Sequence, residues 1–157
     1  MILSFDLDGV IADTDNGLLN LLHQAARTSG NIGAMHYLQQ YYARRRILLD
    51  PRGLAGPSDE VHIVTGRVPS AFEVTRAWVK NWLGPAALEN LHLVSDANVE
   101  RFFEEGLTEK AAKELGLRKL RVLQYIKSQV HFDNNPIIVA YLRKEGMTAV
   151  LVGGGLL

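Results

Sequence analysis

"MILSFDLDGVIAD", residues 1–13, sets an apolar, strand-forming run against two carboxylates. Ser4, Phe5, Leu7, Val10 and Ile11 read as the end of a buried strand and the turn beyond it. Asp6 and Asp8 occupy alternate positions inside that run, with Gly9 directly after. In an extended chain alternate residues face one side, and a carboxylate buried without a partner is costly. Two acids at the mouth of a buried strand therefore have something to hold or something to do.

Four further β-rich apolar runs follow: "VHIVT" at 61–65, "LHLV" at 91–94, "VHF" at 130–132 and "AVLV" at 149–152. Helical patterns separate most of them, and near-continuous apolar strands between helices indicate a parallel sheet covered on both faces. The expected fold is an open, doubly wound α/β sheet. Ser70 and Glu73 form a candidate capping box for a helix that ends near Gly84-Pro85. Pro136 suits the first turn of a helix running to Gly146.

Residues 14–58 break this rhythm. "NGLLNLLHQAA" and "AMHYLQQYYARRRILL" carry apolar positions at helical spacing, followed by "DPRGLAGPS". The reading is one domain over residues 1–157 with a small helical insert at 14–58. Ligands in such sheets bind beyond the carboxyl ends of the strands, so an insert just after the first strand is expected to act as a partial lid. Arg27, Arg44, Arg45, Arg46 and Arg52 against Asp15 and Asp50 make it locally basic, and Tyr37, Tyr41 and Tyr42 add stacking surface.

The chain has 157 residues, with 17 Lys+Arg balancing 17 Asp+Glu, so no global field draws it to nucleic acid or an anionic membrane. No cysteine is present, which excludes disulfides and thiolate catalysis. The opening residues lack the basic start and cleavage site of a signal peptide, and no run reaches membrane-spanning length. A cytoplasmic protein is the expectation. The Gly153-Gly154-Gly155 run reads as a tail, because no helix follows it to build a phosphate loop. His62, His92 and His131 lie in or beside apolar strands without metal-ligand spacing and read as packed histidines.

Each strand end carries polar residues that a purely structural strand would not need: Asp6 and Asp8, then Thr65, Gly66 and Arg67 in "VTGR", then Asp133, Asn134 and Asn135 in "HFDNNP". Lys119 opens the helix read as "KLRVLQYIK". In a parallel sheet these ends lie along one edge.

This combination resembles the haloacid dehalogenase-like (HAD) superfamily of phosphatases and phosphotransferases. "DLDGV" after an apolar strand is the specific signal, reinforced by "VTGR" and, in the expected order, by the lysine and "HFDNNP". The resemblance implies a Rossmannoid sheet with a small helical cap, and an Mg²⁺-dependent hydrolase of small phosphomonoesters such as nucleotides or sugar phosphates. It implies Asp6 as nucleophile, Asp8 as general acid/base, and Thr65, Gly66 and Lys119 around the phosphoryl group. Mg²⁺ would be held by Asp6, Asp133 and the backbone carbonyl of Asp8, with Asn134 near the ion. Arg67 and Arg45 are candidate substrate contacts.

Two acids are needed because attack on phosphorus and proton transfer to the leaving group are separate tasks. Asn134 and Asn135 stand where many relatives place a second acid, which leaves less charge for the metal. Lys110 and Lys113 are rivals to Lys119. Residues 14–58 contain no lysine, which disfavours Schiff-base phosphonatase chemistry. A phosphomutase or phosphotransferase, and a non-catalytic phospholigand-binding module, stay open as alternatives. The expected partner is a small phosphorylated metabolite. So small a lid also leaves room for a second copy of the chain to complete the site.

Overall fold

All five apolar runs form strands: β1 (Ile2–Phe5), β2 (Glu60–Thr65), β3 (Leu91–Leu93), β4 (Val130–Asp133) and β5 (Ala149–Leu151). In the computed structural model they make one sheet in the order β3-β2-β1-β4-β5, with every pair parallel. The structure describes residues 1–14 and 18–153, and the side chains of 19–29 and 31 lie outside that set. The readings made above on Asp15, the Arg27 side chain, Gly154 and Gly155 fall outside it too.

Strand alternation sorts the apolar side chains to two faces. Leu3, Phe5 and Ile63 join Trp78, Val79 and Leu83 of α2 (Phe72–Leu83) in one core. Val64 and Ala149 join a second core with Val99 of α3 (Ala97–Glu104), Leu115 and Leu123 of α4 (Thr108–Ile126) and Ile138 and Leu142 of α5 (Pro136–Lys144). Helices thus cover both faces, as the continuous apolar strands require. Each large side chain buried completely, such as Phe5, contributes about 2–3 kcal/mol.

The order of strands positions the site. The chain runs from β1 outward through β2 to β3, then returns to lay β4 on the other side of β1. Neighbouring connections diverge at β1 and β4, and this opens a crevice at their carboxyl ends. Asp6 follows β1 and Asp133 ends β4, so both stand at that crevice.

The insert is a helix, α1 (Leu18–Ala43), broken at Gly30 (φ 73°, ψ −177°). Its second half seats Leu38, Tyr41 and Tyr42 against Ala71, with Val68 and Val74 alongside. The expected continuation through Arg44–Leu49 does not form. There the chain pairs with the turn after β1: Asp13 N–H donates to Arg46 O (2.9 Å), Leu48 N–H donates to Ile11 O (2.6 Å), and Ala12 bridges Ile47 antiparallel. Ile47, Leu49 and Ala55 then pack on the first core. Extended pairing together with apolar burial outweighs helix propensity here.

Two further expectations are corrected. Ser70 does not cap α2; its hydroxyl donates to Glu100, and the residue before the helix, Ala71, makes no side-chain cap. Lys119 does not open a helix but lies inside the nineteen-residue α4, which runs straight through Gly116. That glycine faces α5, where a Cβ would come 3.1 Å from the Tyr141 ring. It serves close helix packing rather than a break. The helix ends at Gly84 (φ 90°) and the start of α5 at Pro136, capped by Asn135, agree with the sequence.

Candidate functional site

β1 ends at Phe5, and the chain stays paired to β4 for one residue more: Asp6 N–H donates to Phe132 O at 2.8 Å. This holds Asp6 beside Asp133. Beyond it the chain turns tightly, with Ile11 and Ala12 N–H both donating to Leu7 O. Leu7, Val10 and Ile11 are buried, so Asp8 and Gly9 are left at the cavity side. Gly9 has φ +75°, and a Cβ there would lie 2.0 Å from Asn134 Nδ2. Only glycine permits this approach of the two loops.

α4 brings Lys119 from beneath. Its ammonium donates to Asp133 Oδ2 at 2.7 Å and to Asp6 Oδ1 at 3.0 Å, and the whole side chain is buried. Neither rival joins the site. Lys113 pairs with Glu109 on the exposed side of α4, and Lys110 sits over the Phe102 ring.

Asp6 and Asp133 share that cation unequally. Asp133 Oδ2 also accepts from His131 Nε2 (3.1 Å), and its Oδ1 accepts from Asn135 N–H (3.0 Å). Burial alone would raise the Asp133 pKa, but Lys119 and His131 outweigh it and hold Asp133 ionised far below the usual carboxylate range. Asp6 has only the Lys119 contact among the described side chains. Burial, and next the charge of Asp133, push it up to about 7. Lys119 is raised: burial opposes its charge, but Asp133 and Asp6 prevail.

Beneath them runs a chain of contacts that sequence reading missed. Burial lowers the pKa of His131 and keeps it neutral. Its Nε2 must carry the proton it donates to Asp133, so Nδ1 accepts from the Ser4 hydroxyl (2.9 Å), which meets Ser128 Oγ at 2.6 Å. The available signal was Ser4 and His131 as polar residues inside apolar strands, and they are register partners.

Asp8 is held otherwise. Arg67 donates to it from Nε (3.1 and 3.0 Å) and from Nη2 (2.7 Å), and Thr14 donates its hydroxyl at 2.6 Å. The Arg67 guanidinium also lies 3.6 Å from the Tyr42 ring centre and donates to Thr75 Oγ1 at 3.2 Å. Arg67 is buried on the cavity lining, with Nε and Nη2 spent on Asp8 and Nη1 on Thr75, so it positions Asp8. Arg45 stacks on Tyr41 and bonds to the backbone of Tyr41 and Asp13, away from the cavity lining. Thr65 is buried, its hydroxyl accepting from Arg67 N–H, while Gly66 reaches the cavity wall. Asn134 lines the cavity as well.

Asp6, Asp8, Lys119, Asp133 and Asn134 form the floor of a cavity of about 490 Å³ that Leu18, Met35 and Leu38 of α1 also wall. Among the described residues, no group of three or more His, Asp or Glu side chains is arranged to hold a metal ion. Mg²⁺ does not require one: it is commonly bound through one or two carboxylates, with waters and substrate phosphate completing the shell. Asp6 and Asp133 supply hard oxygen donors of that kind. Asp6 lines the cavity, and its Oδ2 has no hydrogen bond to a described side chain, so the donor set fits the ion.

No protein-family model matches this chain, and no curated protein matches it. Among the described residues no helix is long and apolar enough to cross a membrane.

Proposed function

We propose that this protein is a phosphomonoester hydrolase of the HAD-like type, with a Rossmannoid sheet, working through an aspartyl-phosphate on Asp6 with Mg²⁺ as cofactor. The carrying observation is the buried Asp6–Lys119–Asp133 arrangement at the strand ends where the sheet connections diverge. Asp6 attacks phosphorus, and the bond from phosphorus to the leaving oxygen breaks. Asp8, once protonated, gives its proton to that oxygen. Water then attacks the acyl phosphate, Asp8 takes the water's proton, the bond to Asp6 breaks and inorganic phosphate leaves.

Lys119 neutralises the two carboxylates and donates to phosphoryl oxygens as charge moves onto them. Mg²⁺, held by Asp6, Asp133 and the Asp8 carbonyl, would supply charge neutralisation of the phosphoryl group.

One observation favours a second reading. Arg67 occupies both oxygens of the Asp8 carboxylate through Nε and Nη2, so a proton-transfer role for Asp8 needs that fork to open, and the pair supports phospholigand binding without rapid hydrolysis. Phosphate release from a panel of monoesters, with and without Mg²⁺, tests the hydrolase. Metal-dependent release that disappears in Asp6→Asn supports it; an acyl-phosphate that accumulates without release favours transfer; no adduct and no release overturns both catalytic readings.

A further inference from the structure

Resting on the hydrolase reading, we infer that the substrate is the phosphate ester of an apolar alcohol, with no second anionic group and few hydroxyls. The cavity leads from the carboxylates to walls made by Leu18, Met35 and Leu38 of α1, Val68, Phe103 of α3 and Ile138 of α5. Its volume of about 490 Å³ is far more than a phosphoryl group needs. The leaving group therefore lies against these walls.

Among the described residues two hydroxyls along that path are already donated, and the Asn134 amide lies at the carboxylate end, beside Gly9. The Thr14 hydroxyl is donated to Asp8, and the Ser70 hydroxyl to Glu100. A sugar ring would bury several hydroxyls with few partners, which a hydrophobic pocket does not repay. Among the described residues, the cations on the lining, Lys119 and Arg67, are paired within the floor. Glu100 and Glu104 of α3 also line the cavity, and their charge repels a second phosphate. Nucleotides fare no better: the Tyr42 ring face is covered by Arg67, and Tyr37 and Tyr41 stack on each other.

The test uses the full chain with Mg²⁺ and measures kcat/KM for methyl, butyl and hexyl phosphate, a hexose phosphate and a nucleoside monophosphate. The sugar ester is the 6-phosphate and the nucleotide the 5′-monophosphate, so every phosphate is carried on an unbranched CH₂–O or CH₃–O group and leaving-group acidity varies little. Trapping of Asp6 with beryllium fluoride, followed by fluorine NMR, reports separately whether the phosphoryl site works. The expected result is a rise of about fourfold per methylene along the alkyl series, with the sugar and nucleotide esters roughly a hundredfold below hexyl phosphate. Met35→Arg, at a half-exposed wall position, should cut the hexyl-to-methyl ratio at least about tenfold. A beryllium fluoride adduct with the hexose phosphate or nucleotide turned over as well as hexyl phosphate overturns this inference and leaves the hydrolase reading standing. Neither adduct nor turnover overturns both.

Discussion

The Asp8 carboxylate is gripped from the side by Arg67, whose Nη2 lies 2.7 Å from Oδ1 and whose Nε spans both oxygens. The two residues are 59 positions apart, and the arginine is sealed between Tyr42 and Thr75. Burial opposes the Arg67 charge, yet Asp8 outweighs it and raises the arginine's pKa further. Arg67→Met should lower stability by about 2–3 kcal/mol, at the low end for a broken buried pair because Asp8 is partly exposed. Arg67→Lys should not restore it, since an ammonium can neither fork to both oxygens nor stack on the ring. Urea unfolding of the two variants checks this; wild-type stability in the lysine variant would count against the fork.

Asp8→Asn should slow alkyl phosphates far more than activated aryl phosphates, because a good leaving group needs little acid help. Equal losses on both classes would make Asp8 an anchor for Arg67 rather than a proton donor.

Removing Lys119 should damage both activity and fold. Its ammonium is the shared counter-charge of two buried carboxylates, so Lys119→Ala leaves them facing each other and should cost about 3–5 kcal/mol. Turnover should fall by about two to three powers of ten at temperatures where the variant remains folded. Lys110→Ala and Lys113→Ala should change neither by much. Calorimetry and phosphate release on the three variants separate the roles.

Asp6 gives stability a definite pH trend in metal-free buffer. Its folded pKa of about 7 lies above the ordinary 3.8, so the folded protein binds the extra proton between these values. The contribution is full below about pH 4 and is lost as pH rises through about 7. Asp6→Asn has no such charge to bury. The variant should match wild type near pH 4 and melt several degrees higher at pH 8, while being inactive and untrapped by beryllium fluoride. A melting difference independent of pH would contradict the assigned titration.

Gly9→Ala should disturb the site without touching a charged group. The new methyl would collide with Asn134 and must adopt a positive φ, a combined cost of roughly 2–3 kcal/mol. Chemical-shift changes in the Asn134 side-chain amide would report the displacement; an unperturbed amide would contradict the close approach.

Five strands, the helix ends at Gly84 and Pro136, and the convergence of Asp6, Lys119 and Asp133 were legible because local pattern and sheet topology determine them. The Arg67–Asp8 pair was not, since nothing local couples positions so distant. Ser70 looked like a cap because its spacing to Glu73 fits, but Glu100, brought close by folding, competes for the hydroxyl. The sequence reading named no helix at α3, although Asp96 at its start accepts from Asn98 and Val99 N–H and so caps it. Asp96 before the spaced Val99, Phe102 and Phe103 was the signal to follow.

Gly116 and Lys119 lie three residues apart, on one face of α4. Because the glycine offers only a hydrogen, Tyr141 rests almost on the helix backbone, and the spacing of the two helices is fixed there. A larger residue at 116 would wedge α4 away from α5 and withdraw the lysine from its carboxylates, like a bolt retracted by a shim inserted one turn behind it. The depth of the positive charge at the cavity floor is thus controlled from the α4–α5 interface, by a position with no polar atom in its side chain.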